Sequence, residues 1–330
     1  QRLLRQRMTD DLTRVSVFAP AKVNLTLHVT GQREDGYHLL DSLIVFASTG
    51  DTLQVTLGNT LSLTCEGPEG ANVPADTDNL ILKVARLFED MPGASFVLEK
   101  HLPVSSGIGG GSADAAAAFR ALMSFWSNGE TGDEAYDPAE TPFADRLLAL
   151  GADIPVCLSC KASRMQGIGE QITRVENLKG FYSVLVNPRV SVSTPRIFAA
   201  LENKTNPPMP AQLPAFAGVH EFVMWLKEQR NDLQAPATEL VPQIGHVIDA
   251  LEHDQDCLFA RMSGSGATCF GVFVNKDAAT AAAKRIAKAN PEWWVRPTRL
   301  TSMSKAARPR LHWASEEEEK AKAEAGAEPS

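Results

Sequence analysis

Polar and apolar residues alternate along the chain after Pro20. Apolar side chains occupy the odd positions from 23 to 29, and polar side chains occupy the even positions from 22 to 28. A period of two residues predicts a β-strand with one buried and one open face. The same period returns at 53–57 and 61–63, on either side of Gly58 and Asn59, which predicts a hairpin.

Helical patterns alternate with short strands in the first half of the chain. The stretch DNLILKVARLFEDMPG predicts a helix that begins after a capping Asp78 or Asn79 and ends at Pro92 and Gly93. The patterns that follow predict a strand over 96–100, helices over 112–126 and 143–150, and a polar surface insertion between these helices at 127–142.

The second half mixes the two kinds of element in a similar way. Its patterns predict strands at 172–175 and 181–186, a Pro-rich loop, helices near 221–229 and 247–251, and a strand, a helix and a strand over 268–297. Hairpin-type strands with interspersed helices predict an α+β protein, with a boundary near 160–169. The predicted units are an extension over 1–14, domains over 15–165 and 166–312, and a disordered acidic tail over 313–330.

Charge and composition exclude several classes of protein. The 330 residues carry 32 basic and 40 acidic side chains, a net charge of −8. A mildly acidic body does not suit a nucleic-acid-binding surface, and no apolar run approaches the ~20 residues of a membrane helix. Because the beginning of the chain lacks an apolar signal segment, we expect a cytoplasmic protein that binds neither nucleic acid nor membrane.

Five cysteines are scattered along the chain, which is unlike a secreted disulfide framework. Cys157 and Cys160 form a C-x-x-C pair, but no second pair of metal ligands stands at a suitable spacing. We therefore expect small buried thiols in a reducing compartment.

The stretch HLPVSSGIGGGSADAAAA sets its glycines directly before an alanine-rich helix. Glycines tolerate positive φ and leave main-chain N–H groups open to a ligand, and the helix N-terminus adds unpaired N–H groups and a positive dipole end. The loop lacks the Lys of a Walker motif, and Ser112 stands where a dinucleotide fingerprint needs Gly or Ala. We therefore predict a phosphate-binding loop of a third kind, with a triphosphate as its ligand.

Two polar pairs near the beginning of the chain are candidates for contact with a substrate. Lys22 and Asn24 share the polar face of the first predicted strand, where an ordinary solvent-facing lysine is the alternative. Tyr37 and His38 follow a turn, where they could stack on a planar base or hydrogen-bond to it. A turn histidine without a role is the alternative for that pair.

Two later stretches add further candidates. Asp153, in LGADIPVCL, lies between a helix end and Pro155, so either a rigidly held carboxylate or a simple helix cap fits the pattern. The Gly-Ser-Gly stretch at 264–266 predicts a tight turn just before a strand.

The chain resembles the GHMP small-molecule kinases over about residues 15–298. The resemblance to the three motifs of that superfamily is carried, in this order, by the strand lysine, the glycine loop, the aspartate at 153 and the Gly-Ser-Gly turn. The segments AKVNLTLHVTGQREDGYHLLDS, DNLI, LPVSSGIGGGSADAAA, GADIPVCL and SGSGATCFGVF resemble the branch that acts on 4-diphosphocytidyl-2-C-methyl-D-erythritol. The resemblance implies a two-domain fold with an N-terminal ATP-binding domain and an active site in the cleft between the domains.

The resemblance also implies a reaction. Mg²⁺ and ATP would be used to phosphorylate the 2-hydroxyl of that small-molecule substrate, in the non-mevalonate route to isoprenoid precursors. Asp153 matches the aspartate that accepts the hydroxyl proton, and Lys22 matches the active-site lysine that supports its charge and that of the transition state. Two alternatives stay open: another small alcohol as the substrate, or a non-catalytic nucleotide-binding regulator on the same scaffold. We expect a monomer or a weak homodimer.

Binding residues follow from the same resemblance. ATP binding falls to Asn79 and to Pro103, Val104, Ser105, Ser106, Gly107, Ile108, Gly109, Gly110, Gly111, Ser112 and Ala113, with the Ser112 hydroxyl as a candidate Mg²⁺ contact. Substrate binding falls to Asn24, Tyr37, His38, Phe198, Gly264, Ser265, Gly266 and Thr268. Tyr37 would stack on the cytosine, His38 would bond its polar edge and Phe198 would form a second wall. Ser105 and Ser106 depart from the family pattern, because they stand where glycine is common.

Overall fold

The computed structural model describes residues 12–88, 93–127 and 141–314. Most of the predicted extension, of the 127–142 insertion and of the acidic tail lies outside these ranges. Among the described helices, none has both the length and the apolar character that crossing a membrane requires.

The described strands join in one mixed sheet. They are β1 (Leu12–Asn24), β2 (His28–Gln32), β3 (His38–Leu57), β4 (Ser62–Glu66), β5 (Ala94–Glu99), β6 (Ser163–Gly167), β7 (Gln171–Arg174), β8 (Phe181–Asn187), β9 (Cys257–Met262), β10 (Cys269–Phe273), β11 (Trp294–Thr301) and β12 (Arg310–Trp313). The main path of the sheet runs β12-β1-β3-β11-β8-β10-β9, and β3 also pairs with β2, β5 and β6. The long β3 strand therefore connects the two halves of the chain.

The helices cover this sheet. They are α1 (Leu80–Ala85), α2 (Gly110–Trp126), α3 (Ala144–Leu150), α4 (Ile154–Ser159), α5 (Thr194–Ala199), α6 (Val219–Glu228), α7 (Gln234–Leu240), α8 (Gln243–Glu252) and α9 (Lys276–Ala289). The helix predicted from the DNLI segment begins as expected, because the Asn79 side chain accepts a hydrogen bond from the N–H of Ile81. It ends at Ala85, earlier than predicted.

Three apolar clusters hold the fold together. The first packs α1 to α4 against β1, β3 and β5, with the alanines of α2 at its centre. The second packs α5, α7, α8 and α9 against the strands of the C-terminal half. The third lies between them and includes apolar residues of β1 and β3 together with α6. The alanines of α2 have small side chains, so this helix can lie close to β1.

The predicted hairpin across Gly58 and Asn59 is wrong. Strand β5 pairs antiparallel with β3, and β4 pairs with β5 in parallel instead of with β3. Phe96 and Leu98 of β5 are fully buried, whereas the residues of β4 are half-buried or exposed. Burying the larger side chains of β5 beside β3 therefore places β4 at the edge of the sheet.

The prediction of one open face along 22–29 is also wrong. Lys22, Asn24 and the other polar residues of this segment are at most 4% exposed. The glycine loop covers the Lys22 end of this face, with the main-chain N–H of Lys22 donating to the carbonyl of Ile108 at 2.9 Å, while Thr26 and His28 contact Met209 and Pro207. A buried polar face needs partners, and its position under the loop marks it as a candidate site.

Candidate functional site

The glycine loop is held in a fixed shape by the C-terminal half of the chain. Gly107 has φ 74°, and a Cβ atom there would lie 2.6 Å from the carbonyl oxygens of Ser263 and Gly266. The Ser263 hydroxyl donates to the carbonyl of Gly107 at 3.1 Å, and the N–H of Thr268 donates to the carbonyl of Ser106 at 3.1 Å. The Gly-Ser-Gly turn thus supports the loop from below.

The two serines that depart from the family pattern have separate roles in the loop. Ser105 has φ 52°, a left-handed conformation that favours glycine. Ser106 is buried, and its hydroxyl donates to the carbonyl of Pro103 at 2.7 Å. The loop therefore keeps the backbone shape that glycine would allow, and Ser106 adds a bond that closes its first turn.

Lys22 and Asp153 form an ion pair at the end of the loop. The Lys22 ammonium lies 2.8 Å from Oδ2 of Asp153, with the lysine side chain 5% and the aspartate side chain 32% exposed. Asp153 immediately precedes α4, and its side chain caps no N–H group of that helix. Of the two interpretations that the pattern left open, the structure favours a rigidly held carboxylate.

A cavity of about 770 Å³ brings most of the predicted residues together. Its wall includes Lys22, Asn24, Asn79, Pro103, Val104, Ser105, Ser106, Gly107, Gly109, Gly110, Gly111, Ser112, Asp153, Phe198, Gly264, Ser265 and Gly266. Ile108, Ala113 and Thr268 are fully buried behind this wall, and Tyr37 and His38 are not part of it. The cavity has room for a nucleotide and a second ligand.

Asn24 presents an unused acceptor at this wall. Its amide nitrogen donates to the Ser42 hydroxyl at 2.7 Å, while Oδ1 is buried and has no hydrogen-bond partner. A Cβ atom on Gly264 would lie 3.3 Å from this oxygen. An unsatisfied buried acceptor is costly, so its position fits a ligand that supplies a hydroxyl.

The aromatic residues predicted for base binding occupy a separate position. The ring of His38 stacks on that of Phe198, with their centroids 4.6 Å apart. Burial and the charge of Lys204 lower the pKa of His38, and its Nε2 atom is buried without a partner. Tyr37 is 61% exposed. Phe198 is the member of this group that reaches the cavity wall.

A buried charged cluster under the loop was missed by sequence reasoning. The Lys100 ammonium lies 2.7 Å from Asp51 Oδ2 and 2.6 Å from Asp114 Oδ2, and all three side chains are at most 5% exposed. A Cβ atom on Gly110 would lie 3.2 Å from the Lys100 ammonium. The ammonium therefore lies directly beneath the predicted phosphate-binding backbone, where its charge is balanced by the carboxyl groups and it joins β3 to α2.

The two carboxyl groups of this cluster differ in the hydrogen bonds that they accept. Asp51 also accepts hydrogen bonds from the N–H groups of His101 and Leu102, whereas Oδ1 of Asp114 is buried without a partner. Burial raises the pKa of Asp114, to about 8. Burial alone would lower the pKa of Lys100, but the two neighbouring carboxyl groups raise it above its usual value. The signals that could have indicated this cluster were a lysine just before the loop and an aspartate at the fifth residue of α2.

Other wall residues were not among the predicted site residues. They are Leu27, Leu40, Val73, Pro74, Asp76, Asp78, Leu80, Ala152, Met165, Val192, Thr194 and Leu233. In the described ranges no three His, Cys, Asp or Glu side chains form a group that could hold a metal ion. The described cysteines are free thiols, with Cys157 and Cys160 buried.

The fold and this site define a class of protein. The chain matches the GHMP kinases N terminal domain over residues 79–159 and the GHMP kinases C terminal domain over residues 216–292. The first range contains the whole glycine loop and Asp153, and the second contains the Gly-Ser-Gly turn. A crystal structure of homoserine kinase from Cytophaga hutchinsonii shares the fold, with a TM-score of 0.61 at 18% identity, and covers 90% of this chain and 97% of its own.

Relatives with higher identity define the family within this class. The chain is 52% identical over 297 residues to 4-diphosphocytidyl-2-C-methyl-D-erythritol kinase of Roseobacter denitrificans, covering 90% of this chain and 97% of the relative. It is 45% identical over 302 residues to the enzyme of the same name from Paramagnetospirillum magneticum, covering 88% of this chain and 100% of the relative. A crystal structure of 4-(cytidine 5'-diphospho)-2C-methyl-D-erythritol kinase matches with a TM-score of 0.68 at 29% identity. The match covers 87% of this chain and 99% of the chain in that structure. The chain belongs to the 4-diphosphocytidyl-2-C-methyl-D-erythritol kinase family.

Proposed function

We propose that this chain transfers the γ-phosphoryl group of ATP to the 2-hydroxyl of 4-diphosphocytidyl-2-C-methyl-D-erythritol. The observation that carries the proposal is the Lys22–Asp153 ion pair, which faces the same cavity as the glycine loop. Phosphoryl transfer needs little covalent help from the protein, so positioning and charge stabilisation supply most of the catalysis. This cavity provides groups for both tasks.

Asp153 acts as the general base. Its carboxylate is about one-third exposed at the cavity wall and accepts the proton of the substrate hydroxyl as the oxygen attacks phosphorus. The Lys22 ammonium, 2.8 Å away, balances this carboxylate and stabilises negative charge on the group in transit. The unused Asn24 oxygen accepts a hydrogen bond from a second hydroxyl of the alcohol and orients it.

The loop from Pro103 to Ala113, together with Asn79, binds ATP. Main-chain N–H groups of the loop and of the first turn of α2 hold the phosphates, and the ion pair of the buried Lys100 with Asp114 fixes the start of α2 beneath them. The Ser112 hydroxyl at the cavity wall is the protein group that would contact Mg²⁺ bound with ATP. That metal would neutralise phosphate charge during transfer.

The cytidine binds at the other end of the cavity. Phe198 reaches the wall there, His38 stacks against it, and Tyr37 lies exposed beside His38. The Nε2 atom of His38 is buried, so the outer face of this ring pair, and not that atom, is open to the cytosine. Gly264, Ser265 and Gly266 of the turn, supported by Thr268, form the floor beneath the diphosphate.

An ADP-release assay on the purified full chain tests the proposal. We expect turnover with Mg-ATP and the cytidylylated alcohol, a phosphomonoester product in ³¹P NMR, and only background release when the alcohol is omitted. Asp153→Asn should lower kcat by about 10²-fold or more while an ATP analogue still binds. The matched control is Asp145→Asn, which removes the same charge at an exposed position of α3 and should keep wild-type turnover.

The same assay separates the alternatives. Turnover with homoserine or mevalonate but not with the cytidylylated alcohol would assign a different small alcohol as the substrate. ATP binding without transfer to any of these alcohols would indicate a nucleotide-binding regulator. Full activity of Asp153→Asn would refute its role as the base.

A further inference from the structure

Arg120 is a buried charged residue that the proposed reaction does not use. It lies on α2, the helix that begins at the glycine loop, and its exposure is 1%. A guanidinium group remains charged at every physiological pH, and removing such a charge from water is costly. Its side chain therefore needs strong acceptors in this position, and those acceptors lie on two other elements.

The guanidinium group of Arg120 binds one helix and one strand at the same time. Nη1 donates to the carbonyl of Cys157 at 2.7 Å and to that of Leu158 at 3.4 Å, near the C-terminal end of α4. Nη2 donates to the carbonyl of Phe18 on β1 at 3.2 Å. Each of these acceptors is a main-chain oxygen, so the bonds fix the backbone of both elements.

These two elements carry the ion pair of the site. Helix α4 begins immediately after Asp153, and the N–H of Cys157 donates to the carbonyl of Asp153 at 3.2 Å. Phe18 and Lys22 lie on the same strand, β1. Arg120 is therefore one turn of helix away from the aspartate and one short stretch of strand away from the lysine.

We propose that Arg120 is a positioning residue that holds Lys22 and Asp153 at a fixed distance from each other. This inference rests on the proposed function, since it concerns the geometry of that reaction. The positive charge of Arg120 also lies at the C-terminal end of α4, where it complements the helix dipole and stabilises a helix of only six residues. Without the hydrogen bonds of this guanidinium group, α4 and β1 are no longer joined through it, and the distance between the two catalytic groups is no longer fixed.

Displacing the catalytic base Asp153 lowers kcat more than it weakens the binding of ATP. A shift of about 1 Å in a catalytic group can lower the rate by about 10²-fold. The loop that binds ATP is held by the Gly-Ser-Gly turn and by Lys22 main-chain contacts, none of which involve the Arg120 side chain. The proposal therefore predicts a loss in kcat with the affinity for ATP retained.

The test compares Arg120→Met and Arg120→Lys with wild type in the full chain. The methionine variant keeps the apolar stem and loses all three bonds, and the lysine variant keeps the charge but not the planar fork. We expect kcat to fall by about 10²-fold in the first and by about tenfold in the second. The Kd of an ATP analogue should stay within about twofold of wild type in both.

Leu122→Ala is the matched control for loss of stability. Leu122 lies on the same helix, is 1% exposed and contributes to the same core, but it has no hydrogen-bonding group. All variants are assayed below their melting temperatures, and the lysine variant replaces the methionine variant if the latter does not fold. Leu122→Ala should keep kcat within about threefold of wild type.

Two results would overturn the proposal. One is a kcat for the Arg120 variants that falls no further than that of Leu122→Ala, and the other is a loss that appears in the Kd of the ATP analogue instead of kcat. Wild-type protein is measured with the cytidylylated alcohol in the same series. If wild type itself shows no turnover, the proposed function fails, whereas active wild type with active Arg120 variants refutes only the positioning role.

Discussion

The imidazole of His38 lies against the ring of Phe198, with centroids 4.6 Å and planes 24° apart. One residue begins β3 and the other belongs to α5, so the contact joins the two halves of the chain. Two rings at this separation are already in stacking contact, and no base can lie between them. A cytosine must therefore stack on the outer face of this pair, where the exposed Tyr37 can form the opposite wall.

Phe198→Ala should weaken binding of a cytidine diphosphate ligand by about tenfold, because stacking of a base on an aromatic ring is worth about 1–3 kcal/mol. Calorimetric titration with CDP measures this change. The Kd of an ATP analogue in the same variant is the internal control and should not change. Equal losses for both ligands would contradict a base-binding role for this pair.

The two carboxyl groups that contact Lys100 should respond to an amide substitution to different extents. Asp51 accepts three hydrogen bonds, so Asp51→Asn should lower the free energy of unfolding by about 3 kcal/mol. Asp114 has one unpartnered oxygen and a raised pKa, so Asp114→Asn should cost less than about 1 kcal/mol at pH 7. Urea unfolding of the two variants measures the difference.

The pH dependence of stability gives a second test of this cluster. A carboxyl group with a raised pKa in the folded state binds its proton more tightly there than in the unfolded chain. Its contribution to stability is therefore present at low pH and is lost as the pH rises towards about 8. Asp114→Asn should gain stability relative to wild type as the pH is raised from about 6 to about 9. A constant difference across this range would contradict the raised pKa.

His28 should make the protein sensitive to acid. Burial and the charge of Arg230 lower its pKa, and together they outweigh the Pro207 carbonyl, Asp232 and Asp41, which favour protonation. The unfolded chain then binds more protons than the folded one, so stability is lost as the pH falls below about 6.5. Unfolding at several pH values should show a smaller loss for His28→Gln than for wild type. Parallel curves would contradict this role.

Gly107 and Gly36 provide a matched pair for testing the loop. Both have positive φ, but a Cβ atom on Gly107 would meet main-chain atoms at 2.6 Å, whereas one on Gly36 would meet nothing within 4 Å. Gly36→Ala should cost about 1 kcal/mol of stability and leave the affinity for ATP unchanged. Gly107→Ala should lower that affinity by about tenfold or more, because the loop must separate from its supporting turn. An unchanged Kd in Gly107→Ala would show that the loop shape does not determine binding.

Much of the α+β fold could be predicted from local patterns, since strict alternation and capping residues depend on near neighbours. The order of β4 and β5 could not, because it depends on which strand buries larger side chains against β3. The same limit applies to Lys100. In sequence it resembles the polar end of a strand, and only the approach of Asp51 and Asp114 makes it a buried cation.

The candidate site could also be predicted only in part from the sequence. The pattern alone favoured an ordinary surface lysine for Lys22 and left Asp153 open between a held carboxylate and a helix cap, and the resemblance to GHMP kinases was needed to choose between interpretations. Pairing of the two groups depends on the packing of α4 against α2 and of α2 against β1, which no local pattern encodes. The role inferred for Arg120 was missed for the same reason, because its acceptors are main-chain carbonyls on other elements.

The support of the glycine loop by Ser263 and Thr268 has a consequence for synthesis of the protein. The loop emerges from the ribosome long before the residues whose hydroxyl and N–H groups hold Ser106 and Gly107 in place. Cellular ATP therefore cannot stabilise the nascent N-terminal half through this loop. We expect nucleotide binding to begin only when the last third of the chain has been made, so that a truncated product is unable to sequester ATP.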